Sequence, residues 1–153
     1  MSSTNFSSFD SKAKSFLICS SDNRVKLFDV DKKFEVRNYI EKRHLSHSYL
    51  CCSRSKLNDD LGYFAVGTDD SCIIIWDLPR GIVLREISLP ADSIPHDIQF
   101  SLDAKYVYVS LSSNRVLVYD IHSGELIKTI KSGKKSALRI AINPKLEVLA
   151  LAK

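Results

Sequence analysis

Serine, threonine, histidine and aspartate recur along this chain in combinations that hydrolytic chemistry uses. His44, Thr68 and Asp70 have the side-chain types of a nucleophile, a base and a group that orients it. Such a set needs its nucleophile exposed on a sharp turn beside an oxyanion hole, and the chain contains no G-x-S-x-G stretch to build one. The three residues read better as a hydrogen-bonded network that fixes a sheet edge, so no catalytic residue is assigned. His44 and His47 stand three apart, which in a strand puts them on opposite faces and separates them as metal ligands. His96 and His122 are isolated. Gly133-Lys134-Lys135-Ser136 has the ending of a phosphate-binding loop. The glycine required five residues before Gly133 is Lys128, however, and the residues that follow are strand-like rather than helical. Asp29-Val30-Asp31 opens like a calcium loop, but Phe34 and Ile40 stand where its glycine and glutamate belong. Neither a cofactor nor a metal ion is expected, and no small-molecule substrate.

The cysteines point the same way. Cys19, Cys51, Cys52 and Cys72 lie in or beside strand patterns with no C-x-x-C pair, which predicts buried, reduced thiols. Hydrophobic residues at 44% and charged residues at 26% describe an ordinary globular chain. No apolar run reaches the roughly 18 residues of a membrane span. The first fifteen residues are polar and Ser-rich without an apolar signal core, so the sequon Asn5-Phe6-Ser7 lacks its secretory context. The net charge of +4 is uneven: residues 124–153 hold seven Lys/Arg against Glu125 and Glu147. That excess can attract an acidic protein or RNA but is too small to establish nucleic-acid binding by itself.

The elements that must position these residues are written three times. Asp22-Asn23-Arg24-Val25-Lys26-Leu27-Phe28-Asp29, Asp70-Ser71-Cys72-Ile73-Ile74-Ile75-Trp76-Asp77 and Ser113-Asn114-Arg115-Val116-Leu117-Val118-Tyr119-Asp120 are each a turn followed by an apolar strand ending in an aromatic–Asp pair. The closing aspartates are 48 and 43 residues apart. A period in the forties with several short strands per unit is that of a β-propeller blade. Predicted strands are 15–20, 24–30 and 34–40; then 47–53, 63–68, 71–78 and 82–89; then 94–100, 106–111, 114–121 and 125–130; and finally 138–143 and 147–151. The fold expected is all-β: an incomplete propeller of four-stranded antiparallel blades over 1–153, with blade 1 at 5–41, blade 2 at 44–90, blade 3 at 93–131 and the start of blade 4 at 137–153. Both faces of the third strands are apolar, so both are expected to be covered. The opening Met1 and the apolar run at 149–153 predict the first part of a longer propeller, or a truncated product.

This pattern resembles the WD-repeat family, whose third strands end in Trp-Asp: Ile75-Trp76-Asp77 matches fully, while Leu27-Phe28-Asp29 and Val118-Tyr119-Asp120 keep the aromatic and the acid. The resemblance implies a structural network in blade 2 of His44 or His47 with Thr68, Asp70 and Trp76, closed by Asp77. Blade 1 lacks the histidine, and blade 3 has Ser113 in place of the turn aspartate. Tyr39-Ile40, His44-Leu45-Ser46-His47-Ser48-Tyr49 and Phe64-Ala65-Val66-Gly67-Thr68 look like the opening propeller of t-UTP-group subunits of the small-subunit processome. That likeness implies a non-catalytic scaffold in nucleolar pre-ribosomal RNA processing, with other proteins of the complex as partners and RNA contact secondary. The alternative is a WD-repeat adaptor in a ubiquitin-ligase, trafficking or signalling complex, outside the nucleolus. A third class, an enzymatic or redox propeller, is suggested by the likeness of the run from Phe100-Ser101-Leu102-Asp103-Ala104-Lys105 to a bacterial repeat family, and would need a bound cofactor. Turns before third strands and connections between blades emerge on one rim. Arg24, Lys42, Arg43, Asp69, Arg115, Lys134 and Lys135 are therefore the candidate partner-binding residues.

Overall fold

The computed structural model describes residues 4–9, 14–20, 22–32, 34–42, 46–56, 62–131, 133, 139–143 and 149–152. Among them are fourteen strands and no α-helix, hence no helix long and apolar enough to cross a membrane. The first sheet is β1 (Thr4–Phe9), β2 (Ser15–Ser20), β3 (Arg24–Asp29) and β4 (Phe34–Tyr39). The second is β5 (Tyr49–Arg54), β6 (Tyr63–Thr68), β7 (Cys72–Asp77) and β8 (Ile82–Ser88). The third is β9 (Pro95–Phe100), β10 (Tyr106–Leu111), β11 (Arg115–Asp120) and β12 (Leu126–Lys131). β13 (Arg139–Ile142) and β14 (Leu149–Ala152) pair as the start of a fourth. Each strand pairs antiparallel with the next, and the first strands β1, β5, β9 and β13 contact one another in series. The architecture is an incomplete propeller: three four-stranded blades, first strands innermost, and two strands of another. β1, with Phe6 and Phe9 its only large apolar residues, is the one strand without a predicted counterpart.

Side-chain alternation stacks the sheets. Leu17, Cys19, Val25, Leu27 and Tyr39 of the first sheet meet Phe64, Val66, Ile74 and Trp76 of the second. The opposite face of the second, Ala65, Ile73, Ile75 and Ile87, meets Phe100, Leu117, Tyr119 and Ile121 of the third. β7 is therefore buried at all six positions. Among the described residues no sheet covers the outer face of the first. Phe28 there is half-buried and stacked on Phe16, with centroids 5.1 Å apart, so it is not the core aromatic that its cassette position predicts. Gly67 is required where the second and third sheets close: a Cβ on it would lie 2.7 Å from Cys51 Sγ and 2.8 Å from Pro95 Cγ.

The turns are as repetitive as the strands. Asn23, Ser71 and Asn114 lead into the third strands with φ of 58°, 59° and 59°, a left-handed position that suits asparagine better than serine. At the other end of those strands Asp29, Asp77 and Asp120 cap the following turn. Each Oδ1 accepts the backbone N–H three residues on, from Lys32 at 2.9 Å, Arg80 at 3.0 Å and Ser123 at 2.8 Å. Gly81 and Gly124, four residues after their aspartates, close the turn at φ +69° and +77°.

These turns form the outer joint between sheets. Pairing of third with fourth strand slips after Leu27, Ile75 and Val118, which leaves Val36, Leu84 and Ile127 as extra residues beside the aromatics. The next residue is basic each time: Arg37, Arg85 or Lys128. Arg37 Nη1 donates to the carbonyl oxygens of Leu78 (2.9 Å) and Pro79 (3.0 Å) in the second sheet's turn, and Tyr39 Oη donates to Leu78 O at 3.1 Å. Arg85 Nη2 donates to His122 O in the third sheet's turn.

Candidate interaction rim

In an antiparallel meander the second–third hairpins and the links between sheets fall at one end, and the first–second and third–fourth turns at the other. The former end carries a charged cluster built by β6, its hairpin and the segment entering β5. The Thr68 side chain is fully buried, and Oγ1 lies between Asp70 Oδ1 and the Cys72 carbonyl oxygen, 3.0 Å from the latter, so its single proton serves two acceptors. His47 Nδ1 is 3.1 Å from Asp69 Oδ1, and its Nε2 is 3.7 Å from Asp70 Oδ2. The Asp69 N–H donates to Ser48 O at 3.1 Å, which ties the hairpin to the entering segment. Trp76 contributes through packing: its buried ring meets Tyr49 edge-on at 6.4 Å, and Tyr49 is the register partner of Thr68.

The ligand atoms of His47, Asp69 and Asp70 lie within 4.8 Å of one another. A structural tetrahedral site uses four ligands with the imidazole neutral. Here three groups gather, with Nδ1 within hydrogen-bond distance of Asp69 and Nε2 farther off, beside Asp70. The cluster ties two loops together, the segment entering β5 and the hairpin after β6.

The rim residues named from sequence are spread around this end. Arg24 opens β3, exposed, with Nε 4.0 Å from Asp22 Oδ2. Arg115 opens β11, exposed, opposite Lys131 in the ladder. Lys42 is exposed in the link toward β5, and Asp69 is held by His47. Arg43, His44, Lys134 and Lys135 lie outside the described residues. Asp77 does not join Thr68 and Asp70. It stands at the far end of β7, where its Oδ1 caps the Arg80 N–H and its Oδ2 is 3.7 Å from Arg80 Nε. The separation follows from strand length, since five residues of β7 lie between Asp77 and Ser71.

Two groups escaped the sequence reading. Asp97, buried on β9, accepts N–H bonds from Ile98 (2.9 Å) and Ile140 (2.8 Å) and so fastens the fourth sheet to the third. Burial pushes its carboxyl above the usual range, against the pull of those two N–H groups. The other is the Arg37–Arg85–Lys128 series, hidden because its register passes through a bulge. Cys19 and Cys51 are poor nucleophiles. A hydrogen bond with the Cys52 thiol, then burial, pushes Cys19 up, and burial pushes Cys51 up, which leaves little thiolate.

No family model matches the chain. A curated protein of Dictyostelium discoideum, WD repeat-containing protein 53 homolog, is 24% identical over 163 aligned positions, which cover 90% of this chain. The chain spans 43% of that relative's length. This likeness and the run of four-stranded antiparallel blades together support a WD-repeat-type chain.

Proposed function

We propose that this chain is a non-catalytic protein-interaction module of a multisubunit assembly, with its hairpin rim as the contact surface. The observation that carries the proposal is the disposition of its chemistry. Apolar residues close the joints between sheets, burial helps to hold the Cys19 and Cys51 thiols above their usual pKa, and Thr68, His47, Asp69 and Asp70 hold loops in place. What remains for a partner is a rim of exposed turns. The contact residues are Arg24, Lys42, Arg43, Asp69, Arg115, Lys134 and Lys135, carried by blades at 5–41, 44–90, 93–131 and from 137. Protein contacts dominate, and RNA phosphates are a secondary target of the basic side chains. The likeness of the 39–49 and 64–68 segments to t-UTP-group processome subunits supports pre-ribosomal RNA processing in the nucleolus as the setting.

The test is affinity purification of the tagged full-length protein from its own cells, with and without ribonuclease, reading both proteins and RNA. Processome subunits that survive ribonuclease are the expected result. Recovery of a ligase, coat or signalling complex instead would move the module out of the nucleolus. Absorbance above about 300 nm in purified protein, the sign of a bound cofactor, would overturn the non-catalytic reading.

A further inference from the structure

The slab between the first and second sheets sets two thiols from different sheets against each other. Alternation along β5 sends Cys51 and Cys52 to opposite faces. Cys51 belongs to the core shared with the third sheet, whereas Cys52 packs against the core shared with the first, where Cys19 of β2 is buried. Sheets stacked face to face ordinarily stand about 10 Å apart, but here Cα atoms of β2 and β5 come within 8 Å of one another. The Cys19 and Cys52 thiols are hydrogen-bonded to each other. They differ in access: Cys19 has no exposed surface, and Cys52 is half-buried. The other two thiols are engaged elsewhere. Cys51 Sγ lies against Gly67 at the joint with the third sheet, and the Cys72 S–H donates to the Ile73 carbonyl oxygen at 3.7 Å.

We propose that Cys19 and Cys52 are an oxidation site, which a peroxide converts into a disulfide tying the first sheet to the second. The half-buried sulfur reacts first. The Cys52 thiolate attacks the peroxide, an S–O bond forms as the O–O bond breaks, and hydroxide leaves a sulfenic acid behind. Cys19 then attacks that sulfur. The S–S bond forms, the S–O bond breaks, and the Cys19 proton departs with the hydroxyl group as water. In sum two thiols lose two electrons and two protons, and one hydrogen peroxide becomes two waters. In the reduced pair the hydrogen bond with Cys52, then burial, holds the proton on Cys19, which makes Cys52 the sulfur that meets the peroxide. Two strands hold Cys19 beside the sulfenic acid, and that proximity offsets its low thiolate fraction. Exchange with small thiols or a dithiol reductase reverses the bond. The loop it closes runs through β3, β4 and the link into β5, so oxidation fixes the first sheet's hairpin against the segment entering the second. The reaction does not depend on what the rim binds.

For the test, the 153-residue chain is treated with hydrogen peroxide and its remaining thiols are blocked with N-ethylmaleimide. An unreduced tryptic digest is then read by mass spectrometry. Peptide 15–24 is expected joined to peptide 44–54, at a mass two hydrogens below their sum. The link is expected to persist in Cys51→Ser, to vanish in Cys52→Ser and to be cleaved by dithiothreitol. Oxidation is expected to raise the Tm of the parent chain by about 5–10 °C, reversibly, and to leave that of Cys52→Ser where it was. Far-UV circular dichroism checks that both variants fold. A bond between Cys51 and Cys52 within peptide 44–54 would overturn the proposal. So would a disulfide joining two copies of the chain on a non-reducing gel, or Cys52 carried to sulfinic acid with no link to Cys19.

Discussion

At the scale of single residues, the aromatic–Asp pair divides into two jobs. Trp76 is 2% exposed between two sheets, and Asp77 organises a turn. Trp76→Ala is expected to cost about 3–5 kcal/mol, the range for a large core aromatic. Arg24→Ala, at an exposed position, is expected to stay within about 0.5 kcal/mol. Urea unfolding of the two variants checks this, and equal midpoints would contradict the burial of the indole. The capping aspartates add a pH dependence. The Ser123 backbone N–H, then that of His122, holds Asp120 below the usual carboxylate range. The Ser101 hydroxyl, then the Lys105 N–H, does the same for Asp103. A depressed folded pKa contributes stability that is present above the unfolded value near 3.9 and is lost as pH falls through the folded one. Asp120→Asn is therefore expected to flatten the fall in urea midpoint on acidification from about pH 5 to pH 3. An unchanged slope would show that the cap carries no linked proton. The identity of the third strands was legible in the sequence because an aromatic and an acid mark their ends. The separate role of Asp77 was not, since a motif does not say which end of a strand its neighbours occupy.

At the scale of elements, the third–fourth turn and the preceding sheet's arginine are one unit. Gly124 has φ +77°, and a Cβ there would stand 3.1 Å from Arg85 Cδ. Gly124→Ala is expected to destabilise by about 1–2 kcal/mol from backbone strain, plus a steric part. Combining it with Arg85→Ala removes the steric part, so a double-mutant cycle should give a loss smaller than the sum. Additive losses would show that arginine and turn are not coupled. Gly67 sets a harder limit: Gly67→Ala pushes a methyl into Cys51 and the Pro95 ring, with an expected cost of about 1–3 kcal/mol by overpacking. Thermal unfolding against the parent chain measures it, and an unshifted Tm would mean the sheets separate freely. Strand positions could be read from alternation and turn residues to within one or two positions. The bulges could not, because a one-residue slip in pairing leaves no compositional trace, and with them went the arginine series. β1 was missed for a simpler reason: with two large apolar residues in six, its strand character comes from pairing to β2.

At the scale of the whole molecule, contacts run from each sheet to the next, through first strands at the centre and arginine joints at the periphery. The core is accordingly a series of slabs between sheets. The period gave this architecture directly, whereas the charged cluster of His47, Asp69 and Asp70 depended on knowing which loops meet. The peripheral joint also has a direction: each sheet offers its basic group forward and its turn carbonyls backward. Plug and socket belong to the same unit, like couplings on identical railway carriages. Copying one such unit in tandem therefore needs no new joint chemistry, only the repetition of what each already carries at its two ends. The aromatic can then differ, as Trp76 does from Tyr119, while the turn that follows its aspartate meets an arginine in both joints.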